Sequence, residues 1–121
     1  MARTALVVDD STSMRQMVSF TLKEAGFVVT EAEDGAEALV KAQDESFDLV
    51  ISDLNMPQVN GLELVRGLRN TPAHKFVPIL LLTTESQHEM KMQGKASGAT
   101  GWIVKPFNPD QLLHVVAKVV R

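Results

Sequence analysis

Four short apolar runs in this chain end in residues able to do chemistry. Leu6-Val7-Val8 leads into Asp9-Asp10, and Leu49-Val50-Ile51-Ser52 into Asp53. Ile79-Leu80-Leu81-Leu82 leads into Thr83, and Trp102-Ile103-Val104 into Lys105-Pro106. Short apolar runs separated by helical patterns read as buried parallel strands. Ligands of open α/β sheets bind at the carboxyl ends of the strands. Three carboxylates, a hydroxyl and an ammonium would then share one sheet edge, an arrangement that invites a divalent cation and a phosphoryl group.

The elements needed to position these groups are legible along the chain. Strands are expected at about Ala5 to Val8, Phe27 to Thr30, Leu49 to Ser52, from Pro78 through the leucine run, and at Trp102 to Val104. Met14, Met17, Val18, Thr21, Leu22 and Ala25 recur at helical spacing from Ser11 to Ala25, with Ser11 or Thr12 as cap and Gly26 as stop. Ala36, Leu39 and Val40 mark a helix from Gly35 to Asp44, and Leu62, Val65 and Leu68 mark one after Gly61. A weaker pattern runs from Ser86 to Ala96. Pro109 opens a last helix carrying Leu112, Leu113, Val116, Val119 and Val120 on one face. Five strands alternating with five helices predict a parallel sheet covered on both faces.

Composition narrows the function. The 121 residues are 45% apolar and fit one globular domain spanning 1–121. Cysteine is absent, which excludes a disulfide framework, a thiolate zinc site and a cysteine nucleophile and fits a cytoplasmic setting. The first apolar run is too short for a signal peptide or a membrane span. A net charge of −3 without a basic run argues against a nucleic-acid partner. His74, His88 and His114 have no metal-ligand spacing and are expected at the surface with no role. Met90, Met92 and Phe107 read as packing. Asp53-x-Asn55 is no calcium loop, because Pro57 replaces the third ligand.

Taken in order, Asp9-Asp10, Asp53-Leu54-Asn55-Met56-Pro57 with Gly61, Thr83, Gly98-Ala99-Thr100-Gly101 and Lys105-Pro106-Phe107 resemble the receiver domain of two-component response regulators, in its stand-alone chemotaxis form. The resemblance runs from Ala5 to the last helix. It implies a flavodoxin-like (CheY-like) α/β three-layer sandwich, with a five-stranded parallel sheet of order 2-1-3-4-5, five helices and no output domain. With that order, Asp53 lies between Asp10 and Thr83, and Lys105 stands two strands away, about 10 Å at the backbone. The lysine stem can close that gap.

The resemblance further implies Mg2+ held by Asp10, Asp53 and the Asn55 backbone carbonyl, with Asp9 acting mainly through water. Three carboxylates against one lysine raise each other's pKa unless a cation intervenes. Asp53 would accept a phosphoryl group from the phosphohistidine of a sensor histidine kinase, with Lys105 and Thr83 meeting the phosphoryl oxygens. Thr83 and Trp102 would switch the surface of the fourth helix, fifth strand and fifth helix, changing affinity for a downstream protein target such as a flagellar motor switch. Such a protein is a phosphoacceptor rather than a conventional enzyme, and a monomer is expected. Lys105-Pro106 is expected to be cis. Trp102 stands where the family usually has Tyr or Phe, and Thr84 where it has Ala or Gly.

A phosphorelay shuttle, a phosphate sink and an unphosphorylated docking module remain alternatives. A haloacid dehalogenase-type phosphatase needs Asp-x-Asp after strand 1, but Ser11 and Thr12 stand two residues beyond Asp9 and Asp10. A flavodoxin-type FMN carrier needs an anion-binding loop there, where two carboxylates would repel phosphate.

Overall fold

A computed structural model describes residues 3–54, 60–84 and 98–120. The strands are β1 (Thr4–Val8), β2 (Val28–Ala32), β3 (Leu49–Asp53), β4 (Ile79–Thr84) and β5 (Gly101–Lys105). All pair in parallel, in the order β2-β1-β3-β4-β5. Four α-helices are found among the described residues: α1 (Thr12–Glu24), α2 (Gly35–Asp44), α3 (Gly61–Arg69) and α4 (Pro109–Val119). A 3-10 turn covers Pro72–His74. This is the flavodoxin-like fold expected. The helix anticipated from Ser86 to Ala96, with His88, Met90 and Met92, lies outside the described residues, as does Asn55. Among the described residues, no helix is long and apolar enough to cross a membrane.

The pleat divides the core into two layers. Leu6, Val8, Val50, Ile79 and Leu81 face α2 and α3, packing with Ala38, Leu64, Val65 and Leu68. The alternate strand residues Ala5, Val7, Leu49, Ile51, Leu80, Leu82 and Ile103 face α1 and α4, meeting Val18, Leu22, Leu112 and Val116. Strands buried on both faces carry no polar alternation, which is why the runs look uniformly apolar.

Caps set the helix starts. Ser11 accepts the Met14 N–H at 3.4 Å and Asp34 the Glu37 N–H at 2.8 Å. Asn60 with Glu63, and Asn108 with Gln111, form reciprocal capping boxes. After α1 the chain turns at Gly26 with φ +97°, a left-handed conformation suited to glycine.

Three expectations need correction. In α2 the inward stripe is Gly35, Ala38 and Ala42 with Leu39 half-buried, while Ala36 and Val40 are exposed. Small residues let this helix approach the sheet closely, so the bulkier Val40 turns outward. Ala25, assigned to the inner face of α1, is exposed beyond the helix end. His74, expected at the surface, is 0% exposed, whereas His114 is exposed. The His74 ring stacks on Phe47 at 5.7 Å between centroids, and its Nε2 accepts the Phe47 N–H at 3.2 Å.

Candidate functional site

The carboxyl ends of β1, β3 and β5 meet above the α1–α4 layer. Val8 pairs with Ser52, so Asp9 and Asp53 stand at one level on neighbouring strands. Asp9 extends the β1–β2 ladder by one residue, its N–H donating to the Ala32 carbonyl at 3.2 Å. Strand alternation keeps Asp9 in phase with Val7, Asp53 with Ile51 and Lys105 with Ile103, all inner residues of that layer. A carboxylate oxygen from each of Asp9, Asp10 and Asp53 lies within 4.8 Å of the other two. Lys105 Nζ donates to Asp53 Oδ1 at 3.0 Å, so its stem does cross from β5 to β3.

Burial separates the acids. Asp9 is 1% exposed and Asp53 is 7%, whereas Asp10 is exposed. Asp9 Oδ1 accepts the Ser11 N–H at 2.8 Å, but Oδ2 is buried with no hydrogen-bond partner among the described residues. Burial pushes the Asp9 carboxyl above the usual carboxylate range. The Ser11 N–H opposes that shift, the Asp53 charge adds to it, Lys105 offsets it, and Asp10 adds to it.

These residues fit a hard divalent cation. The donors are all carboxylate oxygens, as Mg2+ prefers, and the orphaned Asp9 oxygen is a buried acceptor in need of positive charge. Asp10, exposed, leaves an open side for water or substrate.

Thr83 is buried in β4, one residue past Leu82, the register partner of Asp53. Lys105–Pro106 is cis. Trp102 is partly buried against the α2–α3 layer and also borders a depression of about 610 Å³ between β5 and α4, with Phe107, Asn108 and His114 among its walls. Phe107 packs, partly buried, on the α1–α4 core.

Sequence reasoning named Gly61 only as part of a motif and missed two supporting arginines. Gly61 starts α3 directly against the end of β3, where an added Cβ would lie 2.8 Å from the Asp53 carbonyl oxygen and 2.9 Å from Leu54 Cα. Arg69 donates to the Gly98, His74 and Val77 carbonyls at 2.7 to 3.0 Å, tying α3 to the start of β4 and the turn before β5. Arg15 on α1 donates from Nη1 to the Asp9 carbonyl at 2.8 Å and from Nε to Glu31 at 3.1 Å. For either arginine the sequence shows only a cation on a helix, which is commonplace.

A doubly covered parallel sheet with an acid cluster and a lysine at its carboxyl edge defines a receiver-type α/β domain. The family model for the response regulator receiver domain matches residues 5–117. The chain belongs to that family, which places it among the response regulators of two-component signalling. It is 34% identical to the chemotaxis protein CheY of Pseudomonas aeruginosa over 94% of this chain and 93% of that protein. It is 36% identical to the chemotaxis protein CheY-3 of Vibrio cholerae over 94% of this chain and 88% of that one. Among solved structures, Vibrio cholerae CheY4 superposes with a TM-score of 0.94 at 54% identity, covering 99% of this chain and 100% of that one.

Proposed function

We propose that the chain is a phosphorylation-controlled switch in which Asp53 takes a phosphoryl group from the phosphohistidine of a sensor kinase. The carrying observation is the convergence of three carboxylates within 4.8 Å, with Lys105 bonded to that of Asp53. An Asp53 carboxylate oxygen attacks phosphorus as the P–N bond to the donor imidazole breaks, leaving an acyl phosphate and a free imidazole. Lys105 stands against Asp53 from the β5 side, ready to meet the negative charge that arrives with the phosphoryl oxygens. Asp9, Asp10 and Asp53 would hold Mg2+, which when bound supplies the charge that makes this acidic notch tolerate a phosphoryl group. Hydrolysis resets the switch: water attacks the phosphorus, the acyl P–O bond breaks, the phosphoryl group leaves as inorganic phosphate carrying the water oxygen, and the Asp53 carboxylate is restored.

Phosphorylation adds about −1.5 to −2 charges and three acceptor oxygens. Thr83, near the end of β4, donates to one of them. Trp102, beside the 610 Å³ depression, then repacks and alters the β5–α4 surface for a protein target. The chemotaxis relatives support a role in chemotaxis, and a motor-switch protein is the target proposed.

Acetyl phosphate with Mg2+ should add one acid-labile phosphoryl group by intact mass, and Asp53→Asn should abolish the gain. Unchanged mass in the wild-type protein would leave the unphosphorylated docking role.

A further inference from the structure

We infer that Arg15 is a positioning residue for the acidic notch, acting through the backbone carbonyl of Asp9; this rests on the reading of that notch as a Mg2+ site. β2 ends at Ala32, and Asp34 turns away as the cap of α2, so the β1–β2 ladder stops at the Asp9 N–H. The Asp9 carbonyl therefore points beyond the sheet, and Arg15 Nη1 takes it at 2.8 Å. The Arg15 side chain is only 11% exposed. Its Nε is held by Glu31 at 3.1 Å, and Nη2 lies 3.9 Å from Glu33.

The guanidinium thus has one nitrogen on the loop that carries Asp9 and Asp10, and the others on β2 and the residue after it. Its backbone is fixed too, since Arg15 N–H donates to Ser11 O at 2.9 Å. Ser11 N–H in turn donates to Asp9 Oδ1. Asp9 is consequently gripped at both ends, its carboxylate by Ser11 and its carbonyl by Arg15.

Such a grip matters because the three carboxylates repel one another. A loop free to relax would swing Asp9 and Asp10 away from Asp53 and dissolve the cluster before an ion arrived. Groups that orient metal ligands commonly influence affinity as strongly as some ligands do. A planar fork can hold the carbonyl and Glu31 together, whereas a lysine ammonium offers a single point on a flexible stem.

The test titrates Mg2+ into wild-type protein, Arg15→Gln, Arg15→Lys and Glu31→Gln, reading amide NMR shifts for affinity and urea unfolding without Mg2+ for stability. Arg15→Gln should weaken Mg2+ binding about tenfold. Arg15→Lys should recover part of that loss. Glu31→Gln breaks the same ion pair but spares the carbonyl contact, so its affinity should stay within about threefold of wild type. Equal Mg2+ affinity in wild type and Arg15→Gln overturns the inference, as does a loss in Glu31→Gln as large as that in Arg15→Gln. Either result leaves the Mg2+ reading standing. A wild-type protein that binds no Mg2+ refutes that reading and this inference together.

Discussion

Two glycines on one helix should respond to alanine with different outcomes. Gly61 and Gly67 both lie in α3, and neither has a positive φ, so conformation alone forbids alanine at neither position. Space decides. At Gly61 the new Cβ would meet the Asp53 carbonyl oxygen at 2.8 Å and Leu54 Cα at 2.9 Å, both backbone atoms of the site strand and its exit. Reaching ordinary contact at 3.4 Å needs a shift of about 0.6 Å. The Gly61 N–H is bonded to the Leu54 carbonyl at 3.0 Å, so helix and strand cannot part without weakening that bond. Overpacking of this kind costs about 1–3 kcal/mol. Alanine returns roughly 0.4–1 kcal/mol by restricting the unfolded chain, leaving a net loss of about 1–2 kcal/mol.

At Gly67 the nearest atom is closer, 2.6 Å, but it is Leu39 Cδ2, the end of a half-buried side chain. Turning that leucine costs about 0.5–1.5 kcal/mol, and replacing glycine within a helix gains about 1 kcal/mol. The net change is therefore near zero. With a urea dependence of about 2 kcal/mol per molar, Gly61→Ala should drop the unfolding midpoint by about 0.5–1 M and Gly67→Ala should hardly move it. A Gly61→Ala protein as stable as wild type would refute the reasoning, as would a Gly67→Ala protein less stable than Gly61→Ala. Since the displaced oxygen belongs to Asp53, Gly61→Ala should also slow acetyl phosphate labelling.

His74 should make the protein acid-sensitive. Burial lowers its pKa below the usual 6.5, so below that pH the unfolded chain binds a proton that the folded protein resists. Stability should accordingly fall as pH drops from about 6.5, by at most about 1.4 kcal/mol per pH unit for one proton. His74→Gln keeps an acceptor for the Phe47 N–H and should flatten that slope between pH 6.5 and 5. Identical slopes in urea titrations would contradict the assignment. Asp9 has the opposite sign. Its raised pKa makes the ionised form count against folding at neutral pH, so Asp9→Asn should be the more stable protein without Mg2+. With Mg2+ at a hundred times its Kd, the wild type should gain about 2.7 kcal/mol and Asp9→Asn much less. A variant that is destabilised without the ion, or that gains equally with it, would count against this account.

Much of the site was readable because parallel strands buried on both faces leave long apolar runs, and the first polar residue after each run marks the sheet edge. Asp9, Thr83 and Lys105 follow from that rule alone, and Asp53 follows once Ser52, polar but fully buried, is counted within its run. What stayed hidden depends on tertiary placement. The inner face of α2 is built from Gly35, Ala38 and Ala42, too small to register as an apolar stripe beside Val40. His74 is buried because Phe47 supplies both a ring and an N–H, a partnership 27 residues distant in sequence. Arg15 and Arg69 use backbone carbonyls, and no side-chain pattern announces a carbonyl.

The acidic pair shows how a single residue step divides labour. Asp9 and Asp10 are chemically identical neighbours, yet strand alternation sends them to different environments, one 1% exposed and the other open to solvent. The expectation that Asp10 is the direct ligand and Asp9 acts through water rests on resemblance. The buried, unpartnered Oδ2 of Asp9 pulls the other way, because a desolvated carboxylate oxygen gains most from a nearby cation. The two accounts part in mutant titrations. If Asp9 works mainly by its charge and through water, Asp9→Asn should weaken Mg2+ binding less than Asp10→Asn. If its buried oxygen is itself a ligand, the two losses should be comparable, about tenfold or more each. A wild-type affinity in Asp9→Asn would mean that neither account describes the notch, and that its burial serves packing alone.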